Sequence, residues 1–109
     1  MKMLFGEYIK KLRTNNNLTL TQLAAKLGLD SANLSKIENG KRELDEKRLP
    51  KLAEVFDLDI EYLKIEYFGD KFAKKMIEFD CLPETLIVAR EKISYIRALS
   101  SKQTEIEFE

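Results

Sequence analysis

Apolar residues recur along this chain at three- and four-residue intervals, the spacing that lines one face of a helix. Phe5, Ile9 and Leu12 predict a first helix over about residues 4–15. Asn15, Asn16 and Asn17 stop it, because their side chains compete for the backbone and tolerate left-handed geometry. A second helix begins after Thr19, which with Gln22 makes a T-x-x-Q capping box, and carries Leu23, Ala24 and Leu27 inward. Gly28 supplies the positive-φ stop. A short third helix from about Ser31 has only Leu34 and Ile37 as inward anchors and closes at Asn39-Gly40.

Beyond a loop at 41–44 the same period continues. Asp45 is a cap for a fourth helix with Leu49, Leu52, Ala53 and Phe56 on one face, and Pro50 makes that helix begin late or bend. Leu58, Ile60 and Leu63 suit a fifth, capped by Asp59, and Phe68, Phe72, Met76 and Phe79 stripe a sixth. Pro83 opens a seventh, with Leu86, Ala89, Ile93, Ile96 and Leu99 on one side. Residues 101–109 read as a frayed, acidic, polar tail. No stretch alternates with period two, so the fold class is all-α.

Composition narrows the chemistry. The 109 residues suffice for one domain with its own core. Histidine is absent and Cys81 is the single cysteine, which removes imidazole metal sites, His-based triads and disulfides from consideration. We therefore expect no metal, no cofactor and a reducing, cytoplasmic setting. Cys81, beside Leu82 and after an aromatic stripe, reads as a small buried hydrophobe. The N-terminus lacks the apolar core of a signal peptide, and no apolar run approaches membrane-spanning length. Without a phosphate-binding loop or paired carboxylates at a recognisable spacing, an enzyme is not indicated.

The net charge of zero conceals a division. Residues 1–42 hold eight Lys and Arg against three acids, a balance of +5, and residues 43–109 hold eleven against sixteen, a balance of −5. Such a chain suits a module whose N-terminal part meets a polyanion.

The stretch LTLTQLAAKLGLDSANLSKIENGKR, residues 18–42, resembles the Cro and phage-repressor type of helix-turn-helix, the XRE family. Ala24, Gly28, Leu34, Ile37, Glu38, Asn39 and Gly40 carry the likeness, with Leu52, Ala53 and Leu63 further on. The resemblance implies a five-helix repressor-like domain over residues 1–67, followed by two C-terminal helices over 68–100. It places Ser31, Ala32, Asn33, Ser35 and Lys36 toward base edges in the major groove, where Asn33 can pair with adenine and Lys36 can donate to guanine. Asn17, Thr19, Thr21, Gln22, Asn39, Lys41 and Arg42 are the implied phosphate contacts. Arg13 and Glu38 form the implied ion pair between the first and third helices. Leu20 stands where the family commonly has glutamine, and Pro50 where it has an aliphatic residue.

The implied function is a sequence-specific, homodimeric transcription regulator of a small operon, such as a restriction-modification or phage cassette, acting on a pseudo-palindromic operator. Phe68, Phe72, Met76, Phe79, Leu86, Ile93 and Ile96 are then dimer or extension packing. A second reading is an antitoxin-type module whose C-terminal segment, with Ile106 and Phe108 in its acidic tail, docks on a partner protein.

Overall fold

A computed structural model describes residues 2–107, with side chains through Ser101. Six α-helices follow one another: α1 (Phe5–Asn15), α2 (Leu20–Leu27), α3 (Ser31–Glu38), α4 (Leu49–Phe56), α5 (Ile60–Glu78) and α6 (Thr85–Glu107). A 3-10 turn, Glu46–Arg48, precedes α4, and no strand occurs among the described residues. The chain divides into two compact units, Met1–Ala73 and Lys74–Glu109.

Each helix from α1 to α5 stops in the same way. A residue one or two positions past its end takes a left-handed conformation: Asn17 (φ 57°), Gly28 (71°), Gly40 (75°), Asp57 (51°) and Asp80 (54°). The next amide then donates to the carbonyl five residues back, as in Leu18 to Arg13 at 3.0 Å, Leu29 to Ala24 at 2.8 Å and Leu58 to Ala53 at 2.8 Å. This is the Schellman arrangement, which uses carbonyls left over at a helix end and folds a following apolar residue back. Leu18, Leu29 and Leu58 accordingly pack on the core.

The first unit closes around Phe5, Ile9, Leu23, Leu27, Leu34, Leu49, Leu52 and Leu63, all buried. Phe5 meets Tyr67 edge-on with ring centroids 5.3 Å apart, and the Tyr67 hydroxyl donates to the Leu44 carbonyl at 2.5 Å. That bond ties the loop after α3 to α5. Gly6 lies where α1 crosses the end of α3, and a Cβ there would collide with the Ile37 carbonyl oxygen. The crossing therefore admits glycine alone.

Several elements differ from the sequence reading. Asp45 caps the 3-10 turn and not α4, its carboxylate accepting from the Lys47 amide at 3.1 Å, while α4 starts at Leu49, the late start that Pro50 predicts. Pro50 is then the second helical residue, where a missing N–H costs no hydrogen bond. The expected fifth and sixth helices are one, α5, because nothing between Leu63 and Phe68 breaks the helical backbone. Pro83 sits in the turn before α6, its carbonyl accepting from the Leu86 amide at 3.1 Å.

In the second unit α6 continues to Glu107 instead of fraying from residue 101. Ile106 and Phe108 lie outside the residues whose side chains are described. Cys81 is exposed, not buried. It follows the left-handed Asp80 in the link between α5 and α6, where its amide turns back to the Met76 carbonyl at 2.8 Å. Among the described residues no helix is long and apolar enough to cross a membrane.

Candidate nucleic-acid interface

The site is built from two short helices. Thr19 caps α2: its hydroxyl accepts from the Gln22 amide at 3.1 Å while the Gln22 side-chain oxygen accepts from the Thr19 amide at 2.9 Å. Arg48 then reaches back to donate to the Leu27 carbonyl at 2.5 Å, satisfying an acceptor at the other end of α2. Three residues, Gly28 to Asp30, turn the chain into α3.

Asp30 caps α3, accepting from the Asn33 amide at 2.7 Å. Leu34, Ile37 and Glu38 face inward. Glu38 is only 5% exposed and is gripped by Arg13 through two bonds, 2.8 Å from Nε and 3.0 Å from Nη2. Arg13 also donates to the Leu18 carbonyl at 2.9 Å. One guanidinium thus fastens α1, the approach to α2, and α3. The bond to Glu38 raises Arg13 above its already high ordinary pKa, against the opposing effect of burial.

With that side fixed, α3 turns an arc from Ser35 through Ala32 to Asn33 away from the core. Ser31, Ala32 and Lys36 are exposed, and Asn33 and Ser35 are half-buried. No large apolar side chain stands on this arc, so a flat polar edge can approach the backbone closely. Asn39 closes the helix, its side-chain nitrogen donating to the Ser35 carbonyl at 2.8 Å. Arg42 bends over α3 and donates to the Asn33 side-chain oxygen at 2.6 Å.

Asn17, Thr19, Thr21, Gln22, Asn39, Lys41 and Arg42 are all exposed, spread over the start of α2 and the loops flanking α2 and α3. Phe72 and Phe79 of the stripe ahead of α6 are exposed as well, whereas Phe68 packs on the core of the first unit and Met76 is half-buried. Leu86, Ile93 and Ile96 on α6 are exposed.

Four contributors were not singled out from the sequence: Asp30 as the α3 cap, Arg48, Gly6 and the Tyr67 hydroxyl. The D-S-x-N start of α3 was a legible cap signal. Arg48, Gly6 and Tyr67 act on residues 21, 31 and 23 positions away, and no local pattern announces such pairings.

Two packed helices joined by a three-residue turn, the second presenting a short polar face beside basic loops, define a helix-turn-helix, a class of DNA-binding domain. The sequence matches the helix-turn-helix family over residues 9–63. The chain belongs to that family, in its XRE-type branch, whose members are DNA-binding transcription regulators and not enzymes.

The transcriptional repressor RghR of Bacillus subtilis (strain 168) is 42% identical over 74 residues, which is 68% of this chain and 50% of that protein. The uncharacterized regulator YqaE of the same strain is 32% identical over 93 residues, covering 81% of this chain and 77% of its own. The chain spans about half the length of the first curated relatives it matches, 50% of RghR and 43% of RghRB. The clp gene regulator ClgR of Corynebacterium glutamicum superposes with a TM-score of 0.51 at 20% identity over 88% of both chains, a likeness of fold.

Proposed function

We propose that this protein is a sequence-specific, cytoplasmic transcription regulator that binds a pseudo-palindromic operator as a homodimer and controls a small operon, its own gene included. The outward arc of α3 carries the reading: it is polar, short and held from behind by the Arg13–Glu38 pair. In this reading Ser31, Ala32, Asn33, Ser35 and Lys36 meet base edges. The start of α2, with Asn17, Thr19, Thr21 and Gln22, and the loop residues Asn39 and Lys41 meet phosphates. The basic balance of residues 1–42 supports a polyanionic partner.

The exposed apolar face of α6, with Leu86, Ile93 and Ile96 each about half accessible or more, supports self-association. A two-fold protein doubles the base contacts and sets half-sites about one DNA turn apart. Restriction-modification and phage cassettes are the kind of small operon in view, where protein concentration is itself the signal and dimerisation steepens operator occupancy.

The test is a fluorescence-anisotropy titration of the full chain against DNA from immediately upstream of its own gene, beside a scrambled duplex, at several salt concentrations. A preference of roughly a thousandfold is expected, with a steep salt slope. Weak binding without preference would count against autoregulation and favour the antitoxin-type reading, in which α6 serves a different protein.

A further inference from the structure

The Asn33 carboxamide is held on both sides. Its Nδ2 donates to Asp30 Oδ2 at 3.1 Å, and its Oδ1 accepts from Arg42 Nη1 at 2.6 Å. A carboxylate only accepts and a guanidinium only donates, so this pair of neighbours permits one orientation of the amide and penalises the flipped one. Each amide atom keeps further capacity: Oδ1 has a second lone pair and Nδ2 a second hydrogen. Asp30 serves twice, because its other oxygen takes the Asn33 backbone amide at 2.7 Å and caps α3.

We propose that Arg42 and Asp30 are positioning residues that fix the order in which Asn33 presents acceptor and donor to a base edge. This rests on the DNA-reading role of α3 and deepens it. Adenine offers the complementary order in the major groove, an N6 donor beside the N7 acceptor, so the pre-set amide selects adenine over the other bases. A free asparagine side chain would have to be ordered on binding, and could be ordered either way round. The Asp30–Asn33–Arg42 chain removes that cost before DNA arrives. Arg42, placed among the phosphate contacts by family resemblance, is by this geometry turned toward Asn33 and acts on sequence choice.

The assignment separates from a phosphate role by what is lost. A phosphate contact weakens all sequences about evenly and sets the salt slope, whereas a positioning residue changes preference at the base pair its partner reads. Arg42→Gln discriminates further, since a glutamine amide can still donate to Asn33 but carries no charge for a phosphate. Asp30→Asn keeps a good helix cap but can turn a donor toward Asn33 Nδ2 where an acceptor stood.

The experiment is selection of bound duplexes from a randomised library by the full chain and by Asn33→Ala, Arg42→Ala, Arg42→Gln, Asp30→Asn and the Asn33→Ala/Arg42→Ala double variant, with circular dichroism to verify folding. Asn33→Ala should lose roughly 5- to 150-fold of discrimination at one A·T pair, the range of a bidentate base contact. Arg42→Ala and Asp30→Asn should lose discrimination at that same pair. The double variant should lose no more there than Asn33→Ala alone, and Arg42→Gln should retain most of it. Even losses across all sequences from Arg42→Ala, with the wild-type base preference intact, would overturn the positioning role and leave DNA recognition standing. A wild-type chain that enriches no sequence would overturn both.

Discussion

Gly6 of α1 lies directly against the Ile37 carbonyl of α3, with no room for a Cβ between them. Gly6→Ala must therefore push the C-terminal end of α3 outward, since the nearest atoms are rigid backbone. Overpacking of this kind costs about 1–3 kcal/mol. A lower thermal midpoint is expected, together with weaker operator binding if the displaced helix carries the proposed reading face. An unchanged midpoint would show that the crossing relaxes without loss.

Arg13 and Glu38 act as a unit, and removing one half should hurt more than removing both. Glu38→Ala strands a guanidinium that is largely buried, and Arg13→Ala strands a carboxylate; loss of one partner of such a pair costs about 3–5 kcal/mol. Replacing both with methionine and leucine should recover much of that loss. Urea denaturation of the two single variants and the double variant measures the difference. A double variant less stable than either single one would contradict it.

Tyr67 gives stability a pH dependence. Burial raises its phenol above the usual value near 10, and the neighbouring Glu43, Glu46 and Asp45 push the same way. The folded chain thus holds this proton more tightly than the unfolded chain does. Its contribution is complete below about pH 10 and is lost as pH rises through the folded-state value. Tyr67→Phe should cost about 1–3 kcal/mol at neutral pH by leaving the Leu44 carbonyl without its donor, and should flatten the alkaline fall in urea midpoint. A residual slope is expected from Tyr8, which burial also raises.

Helix faces and the α2–α3 motif were legible in the sequence because both follow from spacing within a few residues, as with Thr19 and Gln22 or Leu34 and Ile37. Helix ends were less so. Gly28 and Gly40 announce a left-handed stop, but Asp57 and Asp80 adopt the same conformation without a glycine to mark it. Cys81 failed for a related reason: an apolar run predicts burial only where another element covers it, and coverage is a property of the fold. The Asp30–Asn33–Arg42 chain also lay out of reach, since Arg42 is brought to Asn33 by the turn at Gly40.

Phosphate contacts carry a separate signature. In Lys41→Ala, binding should weaken by a similar factor for operator and scrambled duplexes, and the slope of log affinity against log salt should fall by about one. Anisotropy titrations from low to moderate salt read both quantities. A loss confined to the operator would move Lys41 from the phosphates to the base-reading face.

Self-association through α6 predicts the largest single effect of a surface substitution. Ile93 and Ile96 are 49% and 57% exposed, so a charge at either position has little to disturb within one chain. In a homodimer each would be buried twice, once per copy, and each burial is worth about 1.5–3 kcal/mol. Ile96→Asp should then raise the dimer dissociation constant by roughly a hundredfold or more, with far-ultraviolet dichroism unchanged. Sedimentation velocity across a concentration series would show wild type passing from monomer to dimer and the variant remaining monomeric. The same variant should bind a single half-site as wild type does and lose the gain that wild type makes on two correctly spaced half-sites. If Ile96→Asp sediments as wild type does, the dimer is held elsewhere.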